Sequence, residues 1–402
     1  MSSNPSVKDL PLFPFTRDQQ LDLPGEYAEV SGGCPMAVRL WNDQRAWLVG
    51  NHADFLSVLT DERFSGEFAR SDFPCVTEAR RGIDKAEKSF VGMDNPCHDV
   101  YRRMVMKEFT AKRMLALRPP IEAIADDLLE TMARNGPPCD LVAALAVELP
   151  ALVMCALFGS PYEDHHYIAK LAAGRHGLTQ SPQEAAAAAA ELVDYCRKLI
   201  AHKESAPADD MLSRVIQEWV LPGHLSRDEL ADMCSMILRA GHDTTTNMIG
   251  LGTLTLLRHP EQLSRLESEP GLIETAVDEL LRYLSPVQFA PRRVALQDAE
   301  IHGAPVKQGD GIFAVNAAAN RDPHEFPNPD ALDISRDASN HVAFGYGIHR
   351  CLGQGVARIE LQVTFSKLFA RFPDLRIAEP YEQIAFKYDS QIYGLKKLMV
   401  AW

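Results

Sequence analysis

Phe344-Gly345-Tyr346-Gly347-Ile348-His349-Arg350-Cys351-Leu352-Gly353-Gln354-Gly355-Val356-Ala357-Arg358-Ile359-Glu360 sets one cysteine where a glycine-rich loop gives way to a helix. Gly345 and Gly347 permit turns closed to other residues and let the backbone approach a flat ligand. A helix starting after Leu352 would aim free N–H groups and its positive dipole end at the sulfur, favouring thiolate over thiol. A thiolate with no second cysteine nearby suits one strong bond to a soft metal, and a haem iron takes only one such bond from the protein on that side. Competing readings are weaker. Gly353-x-Gly355 opens like a dinucleotide loop, but Arg358 stands where the third glycine belongs and no strand-like run leads in. A zinc site of His341, His349 and Cys351 lacks a fourth ligand at a usual spacing. A cysteine packed only as a small hydrophobe leaves the adjacent glycines and basic residues unexplained.

Phe344-Gly345-x-Gly347-x-His349-Arg350-Cys351-x-Gly353 resembles the haem-thiolate loop of the cytochrome P-450 superfamily, in its soluble, bacterial form. The resemblance runs from about residue 40 to the C-terminus and carries further motifs in the superfamily's order. Glu279 and Arg282 share a helical face at i and i+3, about seventy residues before Cys351, where the superfamily has its Glu-x-x-Arg pair. Asn320-Arg-Asp-Pro, Phe326, Pro329 and Arg336 match the intervening segment, with Leu332-Asp333-Ile334-Ser335-Arg336 replacing the commoner Phe-Asp-Pro-x-Arg. Arg336 is thereby expected to close a buried Glu–Arg–Arg network that braces the cysteine loop. In Ala240-Gly241-His242-Asp243-Thr244-Thr245, glycine and hydroxyls weaken a helix interior, so a local opening is expected there. The resemblance makes Asp243 and Thr244 an acid–alcohol pair that delivers protons for cleavage of dioxygen. It assigns His98, Arg102, Arg293 and His349 to the haem propionates, since guanidinium groups suit carboxylates, and sets Phe344, Gly345 and Ala240 against the haem.

Working outward, 402 residues, 46% of them hydrophobic, can bury a large core, and length alone allows one large domain or two or three small ones. No repeat, Ser/Gly linker or charge block divides the chain, and Gly136-Pro137-Pro138 reads as a turn, so one domain over 1–402 is expected. A net charge of −14 argues against a broad nucleic-acid-binding surface. Eight cysteines without paired spacing fit reduced thiols in a cytoplasm. Met1 to Gln20 is polar and proline-bearing, so neither signal peptide nor membrane anchor is expected, and the apolar stretch 141–159, broken by Glu148 and Pro150, reads as buried helices.

Apolar residues recur at three- and four-residue spacing over 53–60, 100–110, 120–135, 184–203, 227–259 and 260–267, which predicts helices. Strands are predicted at 39–41 and 46–50 around the Asn42-Asp43-Gln44-Arg45 turn, at 292–296 and 311–317, and after Phe372. The fold class is mainly α with a small β part, and the resemblance implies haem buried between a long central helix and the cysteine-loop helix.

The implied activity is a monooxygenase using haem b (iron protoporphyrin IX), O2 and two NAD(P)H-derived electrons. The chain has no flavin or iron–sulfur motif, so electrons must come from a ferredoxin or flavodoxin with its reductase. Arg103, Lys107, Arg113, Arg350 and Arg358 are the candidates for a local basic docking face. A haem-thiolate nitric-oxide reductase, a peroxygenase or a non-catalytic haem sensor would share Cys351, but the Asp243/Thr244 pair favours oxygen activation. Substrate choice is expected from 70–93, 169–191, Met236 and Arg239 beside Ala240, Val287-Gln288-Phe289-Ala290, and Ile392-Tyr393. Arg239 stands where relatives usually carry an apolar residue, and it is expected to meet an anionic substrate group, pair with an acid from another helix, or snorkel outward.

Overall fold

The computed structural model describes residues 6–17, 20–173, 182–288 and 291–402, so the pocket candidates Phe289 and Ala290 and the stretch 174–181 lie outside the described residues. Ser226-Arg-Asp-Glu229 begins the longest helix with a capping box: the Ser226 hydroxyl accepts the Glu229 N–H, and the Glu229 carboxylate accepts the Ser226 N–H. From there Arg227–Arg258 runs 32 residues, about 48 Å. Leu230–Leu238 and Thr245–Leu256 are almost wholly buried, which requires neighbours on every side. Those neighbours are the helices Glu148–Phe158, His165–Ala173, Pro182–Ser205 and Gln354–Arg371. At Gly252 an added Cβ would fall 2.5 Å from Phe365 Cζ, so the missing side chain sets how closely the helix following Cys351 lies against the central one.

A five-stranded sheet lies beside this helical core in the order 36–39, 45–49, 311–314, 292–295, 64–65. Met36–Arg39 pairs antiparallel with Arg45–Val49, which runs parallel to Gly311–Ala314, with Trp47 opposite Ile312. Arg292–Ala295 is antiparallel to both of its neighbours, Arg293 facing Ile312 and Val294 facing Ser65. The larger apolar core lies among the helices, and a smaller one forms around Trp47, Val49 and Ile312 on the sheet. Among the described residues no helix is long and apolar enough to cross a membrane.

The predicted helices form, with ends shifted by a few residues. Two strands differ. The first ends at Arg39 because the turn begins early: the Leu40 N–H donates to the Gln44 carbonyl at 2.9 Å and Asp43 takes φ +60°. The strand expected over 311–317 stops at Ala314, and Asn316–Ala319 coils into a short helix.

Candidate active site

The cysteine loop is built by its glycines. Gly345 and Gly347 have φ of +68° and +69°, and a Cβ at Gly347 would come 2.7 Å from the Leu59 carbonyl oxygen, so another residue there is both strained and obstructed. The Cys351 N–H donates to the Phe344 carbonyl at 2.8 Å, tying the ends of the loop. Arg358 lies 4.8 Å over the Phe344 ring and pairs with Asp278 at 2.7 Å. The Cys351 side chain is accessible to solvent, yet the protein packed around it pushes the thiol pKa up; the Gly353 N–H, Arg102, Arg358 and Arg350 oppose that shift without cancelling it. The helix begins at Gln354, just after Leu352, so its N-terminal end lies beside the sulfur as expected.

Behind the loop, Glu279 and Arg282 are fully buried. Arg282 Nε and Nη2 donate to the two Glu279 oxygens at 2.6 and 2.8 Å, and Nη1 reaches the carbonyls of Asn320 and Pro329. Arg336 Nε donates to Glu279 Oε1 at 3.2 Å, so the three residues meet. The Asn320 side chain then accepts the Val342 N–H at 2.7 Å, passing the bracing to the loop.

On another side, the His98 and His349 rings lie 4.4 Å apart, and Nε2 of each is buried without a hydrogen-bond partner among the described residues. Arg293 is buried beside them, and its Nη1 donates to the Arg292 carbonyl at 2.8 Å. Gly66 makes the cradle: a Cβ there would meet His349 Nε2 at 3.2 Å and Arg293 Nη1 at 3.3 Å. Burial draws Arg293 down to about 10. Burial, together with repulsion from Arg293, His98 and Arg102, draws His349 to about 2. Two buried ring nitrogens without partners, beside a guanidinium without an ion pair among the described residues, fit the propionates of a haem, which would bring the charge the arginine lacks. Arg102 Nη2 donates to the Arg350 carbonyl, next to the cysteine.

Midway along the central helix accessibility returns: Ala240 is exposed and Thr244 half-buried, between fully buried flanks. The Thr244 hydroxyl donates to the Ala240 carbonyl at 2.8 Å. The helix nevertheless runs unbroken, against the expected opening. Gly241 serves packing instead, because a Cβ there would lie 2.6 Å from Met154 Sδ. Asp243 is buried, and Asn247 Nδ2 donates to its carbonyl and its Oδ1 at 2.7 and 3.2 Å. Lys387 donates to Asn247 Oδ1 at 2.9 Å and lies 3.8 Å from Asp243 Oδ1. Burial raises the Asp243 pKa, with Lys387 and Asn247 acting against it.

Of the pocket candidates, Met236 is buried and Val287 forms a bridge with Ile392. Gln288 and Tyr393 are both held by contacts within the framework. Gln288 accepts from Arg17 Nε at 3.0 Å and donates to the Ser390 carbonyl. Tyr393 stacks on Phe386 and lies 3.9 Å under the Arg17 guanidinium. Arg239 pairs with Glu87 at 2.7 Å, both side chains about nine-tenths buried. The basic face is thinner than expected: Lys107 pairs with Glu218, Arg113 with Glu108 and Arg358 with Asp278, while Arg103 and Arg350 are exposed. Sequence reasoning missed Asp84, which Arg292 and Arg80 hold at 2.7 and 2.8 Å. Strand alternation was the available signal, because adjacent Arg292 and Arg293 must point to opposite faces.

A cytochrome P450 family profile matches residues 178–377. Cytochrome P450-SU2 of Streptomyces griseolus is 43% identical over 363 residues, 90% of this chain and 89% of that one. Pentalenic acid synthase of Streptomyces avermitilis is 42% identical over 97% of each chain. The crystal structure of the mycinamicin VIII C21 methyl hydroxylase MycCI from Micromonospora griseorubida, bound to mycinamicin VIII, superposes with a TM-score of 0.91 at 34% identity, covering 98% of this chain and all of that one. With such identity along nearly the whole sequence and the same architecture beneath it, the chain belongs to the cytochrome P450 family of haem monooxygenases.

Proposed function

We propose that the enzyme hydroxylates a small, largely apolar organic molecule, drawing electrons from NAD(P)H through a ferredoxin or flavodoxin and its reductase. Bound through Cys351, haem b supplies the iron at which dioxygen is activated. Cys351 would hold the haem iron, His98, His349 and Arg293 would hold the propionates, and Arg102 steadies the backbone at Arg350 beside the sulfur. Thr244 presents a hydroxyl proton on the accessible strip of the central helix, and the Asp243 carboxyl resupplies it. Asn247 and Lys387 fix that carboxyl, and the partly exposed Lys387 side chain joins it to solvent. The observation carrying this reading is a half-buried hydroxyl, Thr244, next to a buried carboxyl, Asp243, where the interior of the central helix regains accessibility, on a helix packed against the one that follows Cys351. Thr244→Ala tests it: haem binding should persist while electrons divert to hydrogen peroxide, and unchanged coupling of NAD(P)H to product would refute the assignment.

The Arg239–Glu87 pair supports a substrate that is neutral at that point, since the guanidinium already has its counter-ion. A carboxylate substrate displacing Glu87 is the second reading, favoured by the relative named for pentalenic acid. Binding titrations of carboxylic acids against their methyl esters decide: preference for the esters supports the first reading and preference for the acids the second.

A further inference from the structure

Away from the haem region, three side chains of ligand type converge where the helices Glu148–Phe158 and His165–Ala173 begin. Glu148 Oε2 lies 2.8 Å from His165 Nε2, and Oε1 lies 3.3 Å from His166 Nδ1. The two imidazoles are 3.9 Å apart and inclined by 36°, and one donor atom from each of the three residues lies within 4.8 Å of the others. We propose that Glu148, His165 and His166 bind a divalent transition-metal ion, zinc foremost.

Hydrogen-bond accounting supports this. His165 Nδ1 faces the Tyr162 carbonyl while Nε2 faces the Glu148 carboxylate, so both ring nitrogens look at acceptors. A neutral imidazole has one N–H to give, so the second nitrogen needs either an extra proton or a metal. With the proton on Nδ1, the Tyr162 carbonyl orients the ring and leaves the Nε2 lone pair aimed at the carboxylate, which is the outer-shell arrangement of metal-ligating histidines. Spacing agrees. Tetrahedral zinc ligands at bond lengths near 2.1 Å stand about 3.4 Å apart; His166 Nδ1 is 3.3 Å from Glu148 Oε1 and His165 Nε2 is 2.8 Å from Glu148 Oε2, so closing on one ion takes a small retreat of His165 and a turn of the carboxylate. The neighbouring Asp164 is engaged by the Tyr195 hydroxyl at 2.9 Å, and His166 is 72% exposed, which leaves the fourth position to water. Two imidazoles with one carboxylate suit zinc, nickel or copper better than magnesium or calcium. An occupied site ties together the starts of two helices that both pack on the central helix.

The test uses chelator-treated, desalted holoprotein titrated with zinc chloride by equilibrium dialysis, with bound metal measured by mass spectrometry. Wild type is compared with His166→Ala and Glu148→Gln. Loss of a single outer-shell partner weakens metal sites by about 10- to 100-fold, so removing a ligand should do at least that, and wild type should retain one more equivalent than either variant. Zinc should also raise the thermal midpoint of wild type alone. An unchanged carbon-monoxide difference spectrum in His166→Ala, whose substitution is at an exposed side chain, shows that the fold and haem site are intact. Equal zinc stoichiometry and affinity in all three proteins, or equal retention of magnesium, would overturn the proposal.

Discussion

Glu279→Ala should be among the most damaging single substitutions outside the cysteine loop. The Glu279 carboxylate accepts from Arg282 Nε at 2.6 Å, Arg282 Nη2 at 2.8 Å, the Asp333 N–H at 3.0 Å and Arg336 Nε at 3.2 Å. Its loss strands Arg282, fully buried, without a counter-ion. Breaking a buried pair from one side costs about 3–5 kcal/mol, and domain stabilities are about 5–15 kcal/mol, so the urea midpoint should fall by roughly a fifth or more. Because Asn320 ties this region to Val342, the sulfur-ligated carbon-monoxide band should be lost at lower urea than the helical circular dichroism. Removing both charges in Glu279→Leu/Arg282→Met should cost at least about 2 kcal/mol less than the sum of the two single changes, because neither partner is then left alone. Equilibrium urea unfolding of the four proteins makes the cycle. A cost below about 1 kcal/mol for Glu279→Ala, or strict additivity, would refute the reasoning.

Lys387→Met removes a cation that opposes the burial-driven rise of the Asp243 pKa, so the ionisation seen in the pH profile of coupled turnover should move upward while the carbon-monoxide spectrum stays unchanged; an unmoved profile would show that Lys387 has no hold on Asp243. At Asp84, burial works to raise the pKa, but Arg292 and Arg80 hold it down at about 2. Its stabilisation is therefore complete above the ordinary carboxylate value and disappears as pH falls from about 4 to 2, a change of about 2 kcal/mol, which urea midpoints should register in wild type and not in Asp84→Asn. Burial raises Glu360 to about 8, with the Thr245 hydroxyl offsetting it only in part. Because the folded acid keeps its proton while the unfolded chain ionises, stability should decline between about pH 4 and pH 8. Glu360→Gln should flatten that decline, and equal slopes in the two proteins would count against it.

The features legible in the sequence were those whose physics is local. Glu279 and Arg282 are one helical turn apart, so their meeting followed from spacing, whereas Arg336 joins from 57 residues away and was reached only through resemblance. Gly241 suggested an opening because glycine weakens helices in isolation, but Met154, on a different helix, supplies the reason for it. Lys387 lies 140 residues from Asn247, and no periodicity connects them. Gln288 and Tyr393 fell in the expected segments, but Arg17, near the other end of the chain, claims both.

The helix Glu78–Ala86, within the segment that the resemblance links to substrate choice, buries only Asp84 among its nine residues. It is moored by Asp84 on Arg292, by Arg80 Nη1 on Gln391 Oε1 at 2.9 Å, by Arg81 on the Ser71 carbonyl and by packing on Pro182–Ser205, so the exposed letters at Glu78, Gly82 and Lys85 can be rewritten without disturbing those ties. Engineers wishing to redirect this catalyst toward another molecule have there a panel whose outer face can be exchanged while its bolts stay in place.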